Sequence, residues 1–161
     1  MKKLLIIMIV SLAVCACSTL TSAERAERDA KTAQAVKKAL TERQFTVDIQ
    51  MMYPRRGKAV NVTSDYSLQV KGDTLVSYLP YFGRAYNVPY GGGKGLNFTA
   101  PIKEYQAVKG SKGNTQVLIR VDSEEDILTY TLDIFSNGST SIDVTARNRE
   151  SISYSGQMEV E

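Results

Sequence analysis

The chain has 161 residues, with 20 basic residues, 17 acidic residues, no histidine and a formal net charge of +3. The absence of histidine removes the usual general base near neutral pH and the commonest metal ligand. The two cysteines, Cys15 and Cys17, both lie close to the N-terminus. Ser-His or Cys-His catalysis and thiolate or imidazole metal sites are therefore excluded from the rest of the chain. No basic block of the kind that binds nucleic acid is present, so no nucleic-acid partner is expected.

Residues 1–17 have the pattern of a bacterial export signal. Lys2 and Lys3 precede an apolar run over residues 4–14, which ends at Cys15 and Cys17. A run of this length is too short for a transmembrane helix, which needs about 20 apolar residues. Removal of the signal would take two lysines and no acidic residue, which lowers the net charge from +3 to +1.

Lipid attachment is predicted at Cys17. The peptidase that processes lipoproteins prefers a small residue before the acylated cysteine, and Ala16 suits it better than Val14, which precedes Cys15. Acyl chains on Cys17 would hold the protein in a membrane, because each buried methylene contributes about 0.8 kcal/mol. Ser18, not an aspartate, directly follows Cys17, which favours the periplasmic face of the outer membrane. The alternative is cleavage after Ala23, which would release a soluble periplasmic or secreted protein.

Residues 18–44 are predicted to form a linker and an amphipathic helix. Over residues 24–41, small and apolar side chains recur every three or four positions on one face: Ala26, Ala30, Ala33, Val36 and Leu40. Thr21 and Glu24 have the spacing of a capping box. Because most of this stripe is alanine, it would bury little area. It suits close packing on a sheet or over the end of a barrel.

From residue 45 the apolar period changes to two, which predicts a β domain over residues 45–161. The first strand is predicted to carry five apolar residues on one face: Phe45, Val47, Ile49, Met51 and Tyr53. Further strands are predicted over residues 59–63, 65–71, 74–79, 102–108, 115–121, 126–135, 140–147 and 151–160.

Asn137-Gly138 is the strongest hairpin signal, since both residues readily adopt the positive φ angles of a two-residue turn. The inward residues of the two flanking strands are predicted to be Leu128, Tyr130, Leu132, Ile134, Ile142 and Val144. Consecutive hairpins without crossover helices favour an antiparallel up-and-down β-barrel of about eight strands over a two-sheet sandwich. The predicted fold class is mainly β, with one N-terminal α-helix.

Three segments of the chain resemble a known family. The stretch over residues 66–86 contains Leu-Pro-Tyr-Phe-Gly-Arg-Ala-Tyr at residues 79–86, and residues 95–98 and 152–156 also fit. They resemble the domain of unknown function 4251 (DUF4251) family of Bacteroidetes envelope lipoproteins over nearly all of the processed chain. The resemblance implies an N-terminal helix and a lipocalin-like β-barrel. It carries over no catalytic, cofactor or ligand residue.

Residues 79–98 are the candidate ligand or partner surface, because this long segment is rich in aromatic residues and glycine. Its candidate residues are Tyr81, Phe82, Arg84, Tyr86 and Tyr90. Tyrosine offers a flat apolar ring with a polar tip, and arginine adds a planar set of donors, which suits glycan, peptide or aromatic ligands. The alternative is that these aromatic side chains pack over the barrel mouth as an extension of the core.

Two weaker motifs do not support a cofactor or a metal ion. The glycine-rich run over residues 91–95 lacks the hydroxyl residue of a phosphate-binding loop after Lys94. Asp122, Glu124 and Asp126 alternate like calcium ligands, but Ile127 stands where a calcium loop needs glycine. Neither a cofactor nor a metal ion is therefore predicted.

These features predict a non-enzymatic envelope lipoprotein that binds a small apolar or glycan-like ligand, or a partner protein, through the aromatic loop. A structural or accessory subunit of an envelope complex, without a small-molecule site, is the alternative. A hydrolase that works without histidine, through carboxylate, Ser-Lys or tyrosine chemistry, has the least support.

Overall fold

The computed structural model describes residues 21–86 and 94–160. The predicted signal, the lipidation site Cys17 and the loop residue Tyr90 lie outside this range. Within it, one helix precedes nine strands: α1 (Ser22–Glu42), β1 (Gln44–Pro54), β2 (Val60–Asn61), β3 (Ser67–Lys71), β4 (Thr74–Leu79), β5 (Leu96–Lys109), β6 (Thr115–Asp122), β7 (Ile127–Ile134), β8 (Ser139–Ala146) and β9 (Ile152–Met158).

Eight of these strands close into an antiparallel barrel. From β3 to β9, each strand pairs with the next along the chain, and β1 pairs with both β3 and β9. The β1–β9 pairing leaves the barrel without an open edge, which confirms the predicted up-and-down barrel rather than a sandwich. The ninth strand, β2, has only two residues and pairs with β1 beside the barrel.

Helix α1 covers one end of the barrel with its C-terminal half. The predicted capping box is confirmed, since Glu24 N–H donates to Thr21 Oγ1 (3.3 Å) and Thr21 N–H donates to Glu24 Oε2 (2.7 Å). Of the predicted stripe, Val36 and Leu40 are buried, whereas Ala26 and Ala30 are exposed. The N-terminal half of α1 therefore extends beyond the barrel.

Arg43 fastens the end of α1 to the barrel. It adopts a left-handed backbone conformation with φ 53°, and its backbone N–H donates to the carbonyls at the helix end. Its guanidinium lies 3.0 Å from Asp73 Oδ1, in the β3–β4 turn, and 4.7 Å from the centre of the Tyr105 ring. Tyr105 Oη in turn donates to the carbonyl of Leu40 (3.2 Å). These contacts place the β3–β4 turn at the α1 end of the barrel.

The barrel interior is filled by its own side chains. All six residues predicted to face inward on β7 and β8 are at most 1% exposed, which confirms that part of the core. Large side chains that are less than 2% exposed come from strands all around the barrel: Met52, Leu68, Leu75, Leu79, Leu96, Ile119, Tyr130, Ile142 and Tyr154.

The predicted face of β1 is wrong beyond Ile49. The β1–β9 register shifts between Ile49 and Met51, so Gln50 is an extra residue that forms a β-bulge. An extra residue exchanges the two faces of the strand that follows it. Met52 is therefore buried, whereas Met51 is only half-buried and Tyr53 is 41% exposed.

The boundary of β5 and the turn after β7 also differ from the predictions. β5 begins at Leu96 rather than residue 102 and continues through Pro101. The next residue, Ile102, donates its N–H to the backbone carbonyl of Asp73 (2.8 Å). In the Asn137-Gly138 pair only Gly138 has a positive φ, 82°. Phe135 N–H donates to the carbonyl of Ser139 (2.9 Å), so the loop between these two residues has three residues, 136–138, rather than two.

Candidate functional site

The aromatic loop connects β4 to β5 at the end of the barrel opposite α1. There it meets the β6–β7 turn and the β8–β9 connection. Residues 80–86 and 94–95 of the loop are described, so the candidate residue Tyr90 and most of the glycine run are not. The described part contains four of the five candidate residues: Tyr81, Phe82, Arg84 and Tyr86.

Tyr81 points toward the barrel and holds the loop in place. Its Oη lies within hydrogen-bond distance of the carbonyl oxygens of Arg84 (3.1 Å) and Glu150 (3.0 Å). The Arg149 guanidinium lies 5.5 Å from the centre of its ring. Burial raises the pKa of the Tyr81 hydroxyl, and the nearby Arg149 charge opposes that rise. Tyr81 is half-buried, so the structure gives it an internal, positioning role.

Phe82, Arg84 and Tyr86 face solvent, and we call them the loop surface. Phe82 is 66% exposed and Tyr86 is 70% exposed. Large apolar side chains at this exposure, four positions apart on one loop, are typical of binding surfaces rather than of core extensions.

The backbone beneath the loop surface is fixed by a short antiparallel pairing. Glu150 N–H donates to the carbonyl of Arg84 (2.9 Å), and Tyr86 N–H donates to the carbonyl of Asn148 (2.7 Å). Ala85 forms an isolated bridge with Arg149. Arg84 N–H also donates to the Glu150 carboxylate (3.3 Å). The exposed side chains therefore stand on an ordered backbone.

A buried charged cluster supports this pairing from inside. The Asp126 side chain is fully buried and accepts hydrogen bonds from the backbone N–H groups of Ile127, Arg147 and Asn148, at 2.8–3.1 Å. Asp126 Oδ2 also accepts from Arg149 Nε at 3.3 Å. Asp126 thus joins the β6–β7 turn to the β8–β9 connection.

Arg149 links that cluster to the loop and to a second carboxylate. Its side chain is 7% exposed, and its Nη1 donates to the carbonyl of Gly95 at 2.7 Å. Its Nη2 lies 3.3 Å from Glu125 Oε2. A buried guanidinium with partners on each donor nitrogen is strongly oriented. Arg149 therefore ties the far end of the aromatic loop to the barrel rim.

The polar groups beneath the loop satisfy one another. Tyr154 Oη donates to the carbonyl of Pro80 (2.6 Å), Tyr130 Oη donates to Ser77 Oγ (3.1 Å), and Ser77 Oγ donates to the carbonyl of Leu96 (2.7 Å). In the part of the chain that the structure describes, every buried side-chain nitrogen or oxygen has a hydrogen-bond partner. The interior therefore offers a ligand no unpaired polar group among these residues.

Burial raises the pKa of both Tyr130 and Tyr154 far above the ordinary value of 10.0. In the unfolded chain both would ionise near pH 10, so the stability that they contribute is present below that pH and falls as the pH rises above it. We expect a spectrophotometric titration of the nine tyrosines to leave two un-ionised until circular dichroism reports unfolding. Tyr130→Phe should leave only one tyrosine that resists ionisation in the folded barrel. Ionisation of all nine in a folded barrel would contradict this expectation.

Asp126, Glu125, Arg149 and Glu150 were not candidates from the sequence as a group. Asp126 stands out only as one of three alternating acidic residues, and in the structure it binds backbone N–H groups and Arg149. Over residues 21–86 and 94–160, no group of three or more acidic, cysteine or histidine side chains has the geometry to hold a metal ion. Over the same residues, no helix is both long enough and apolar enough to cross a membrane.

The fold and this loop define a class: a small, closed antiparallel β-barrel with a helix over one end and an aromatic loop over the other. The family model described as domain of unknown function DUF4251 matches residues 27–158. The chain belongs to the DUF4251 family.

A solved relative has the same fold. It is the crystal structure of a DUF4251 family protein from Bacteroides eggerthii, which is 17% identical to this chain with a TM-score of 0.62. The match covers 83% of this chain and 91% of that chain. No curated protein matches. At this identity the likeness concerns the fold alone.

Proposed function

We propose that this protein is a non-enzymatic lipoprotein of the bacterial envelope that binds a partner protein through Phe82, Arg84 and Tyr86. The observation that carries the proposal is the contrast within the aromatic loop. Its backbone is held by Tyr81, Arg149 and the pairing with residues 148–150, whereas the rings of Phe82 and Tyr86 face solvent. A preordered backbone, as at residues 84–86, loses little conformational entropy on binding, and aromatic and arginine side chains dominate binding energy at interfaces.

The filled interior supports binding at the outer surface. Tyr130 and Tyr154 occupy the part of the barrel beneath the loop, and their hydroxyl groups bind Ser77 and the carbonyl of Pro80. A small apolar ligand inside the barrel would have to displace these side chains. The proposal therefore favours an accessory protein that contacts another macromolecule over a carrier with an internal ligand.

The triple variant Phe82→Ala, Arg84→Ala, Tyr86→Ala should abolish partner binding and leave the fold intact. Surface substitutions of this kind change the free energy of unfolding by about 0.5 kcal/mol or less each. The measurement is chemical cross-linking in the native envelope, followed by mass spectrometry of the partners attached to the full chain. Tyr81 is left unchanged, because its loss would disturb the loop itself.

A matched variant, Tyr53→Ala, Arg55→Ala, Tyr78→Ala, removes the same kinds of exposed side chain elsewhere on the barrel. It should keep the cross-linked partner. If both triple variants behave alike, the loop surface is not the binding site.

A glycan-like ligand is the second candidate, since an exposed aromatic ring beside a guanidinium also suits sugars. Protease treatment of the envelope fraction distinguishes the two, because it removes a protein partner and spares a glycan.

Membrane attachment is proposed to depend on Cys17. Cys17→Ser should move the protein from the membrane fraction to the soluble fraction, because the acyl chains that would anchor it are lost. Cys15→Ser is the matched control and should leave the protein in the membrane fraction. Fractionation followed by immunoblotting measures both. A membrane-bound Cys17→Ser variant, or a soluble Cys15→Ser variant, would refute lipidation at Cys17.

A further inference from the structure

A second candidate site lies at the other end of the barrel, between α1 and the ends of the β5–β6 and β7–β8 hairpins. It is a groove of about 420 Å³, which we call the α1 groove. This volume lies within the range of about 300–1,000 Å³ that is usual for sites of small organic ligands. Its floor and walls are largely apolar, and the apolar residues lining it include Ala33, Val36, Leu40, Val108, Ile134 and Phe135.

Part of this apolar lining faces solvent. Val108 is 53% exposed and Phe135 is 38% exposed, although both stand beside the buried residues Val36 and Leu40. A ligand in the groove would remove that apolar surface from water, which favours binding. The groove therefore favours a ligand with a long apolar portion.

The charges of the α1 groove have a single sign. Lys37 and Lys109 line it, and no acidic residue does. No ion pair of either lysine is found among residues 21–86 and 94–160. A neighbouring groove on the other side of α1 is different, because Lys38 and Lys71 line it together with Glu42 and Glu159. The α1 groove is thus complementary to an anion, and its neighbour is not.

Several polar groups of the hairpins at this groove are already engaged. Gly110 N–H donates to the carbonyl of Asn114 (2.8 Å), and Phe135 N–H donates to the carbonyl of Ser139 (2.9 Å), within the hairpins. The Asn114 amide donates to Asp133 Oδ1 (2.7 Å). A peptide would bring unpaired backbone groups into this groove, whereas an alkyl chain has none to satisfy.

We propose that the α1 groove binds a free long-chain carboxylic acid. The alkyl chain covers the solvent-facing surface of Val108 and Phe135, against Val36 and Leu40, and the carboxylate binds Lys37 and Lys109. This site is independent of the loop surface, which lies at the opposite end of the barrel.

The test uses the full chain in isolated envelope membranes and a palmitic acid analogue with a photoreactive diazirine in its alkyl chain. After irradiation, mass spectrometry of peptides locates the adducts. We expect them within residues 33–41, 107–115 and 134–136. Unlabelled palmitic acid should compete, and hexadecanol, which lacks the charge, should compete far less. Labelling spread evenly along residues 22–31, or equal competition by hexadecanol, would overturn the proposal. Labelling that excess palmitic acid does not reduce would point to bilayer lipid and would also overturn it.

The double variant Lys37→Glu, Lys109→Glu should lower groove labelling about tenfold, since two solvent-facing ion pairs are lost and replaced by repulsion. Lys38→Glu, Lys71→Glu makes the same change in net charge at the neighbouring groove and should leave labelling unchanged. Lys37→Arg, Lys109→Arg keeps both positive charges and should be labelled like the wild type, which separates loss of charge from loss of fold. Equal losses of labelling in the two glutamate variants would contradict the proposed binding site.

Discussion

Asp126→Asn should destabilise the barrel by about 3–5 kcal/mol. The carboxylate is fully buried, and it accepts hydrogen bonds from three backbone N–H groups and from Arg149. The amide of asparagine would place a donor against some of these donors and would leave the buried Arg149 charge with weaker compensation. Removal of one partner of a buried ion pair costs about this much free energy. Urea unfolding of the wild type and the variant measures the difference.

Glu124→Gln is the matched control, two residues away in the same turn. The Glu124 side chain is 88% exposed, and its carboxylate lies 3.5 Å from Lys94. An exposed ion pair contributes about 0–1 kcal/mol, so the free energy of unfolding of this variant should be close to that of the wild type.

The aromatic loop should also loosen in Asp126→Asn, because Arg149 holds the carbonyl of Gly95. Faster hydrogen exchange at Tyr86, whose N–H binds Asn148, would report it. Equal stability of the two variants would show that the Asp126–Arg149 pair does not support the barrel rim.

The barrel is predictable from the sequence where one local rule decides the structure. The alternation of Leu128, Tyr130, Leu132 and Ile134 places them all inside, because a strand with one buried face cannot slip by one residue without exposing them. The capping box at Thr21 is equally local. These features depend on residues a few positions apart, so the sequence displays them directly.

The errors occur where a distant partner decides the structure. The bulge at Gln50 follows from the pairing of β1 with β9 about 100 residues later, and it reverses the faces of Met51 and Tyr53. Local periodicity does not reveal the bulge, because the strand that pairs there lies far along the chain.

The candidate site also has features that local sequence predicts and features that depend on distant residues. Composition alone identifies the aromatic loop, but it cannot separate Tyr81, which anchors the loop, from Phe82 and Tyr86, which face solvent. Asp126 and Arg149 are 23 residues apart, and each looks like an ordinary surface charge in the sequence. Only the meeting of the β6–β7 turn with the β8–β9 connection makes them a buried pair.

Gly156→Ala should disrupt the closure of the barrel. Gly156 lies on β9 opposite Ile49, beside the bulge at Gln50. A Cβ at this position would overlap the carbonyl oxygen of Asp48 and would lie 2.9 Å from its carbonyl carbon. Both are backbone atoms, so no side-chain rotation can relieve the overlap, and β1 would have to move away from β9. Overpacking of a well-packed region costs about 1–3 kcal/mol, and more where the backbone must shift. We expect a loss of at least about 3 kcal/mol in urea unfolding.

The neighbouring substitution Ser155→Ala separates this effect from general damage to β9. Ser155 already has a Cβ, and its hydroxyl makes only an exposed hydrogen bond with Tyr53 Oη (3.2 Å), so its loss should cost about 0.5 kcal/mol or less. Because β1–β9 is the pairing that closes the barrel, Gly156→Ala should also speed hydrogen exchange along β1 and β9 more than along β6 and β7. Uniform acceleration across all strands, or a variant as stable as Ser155→Ala, would mean that β9 does not need a glycine opposite the bulge.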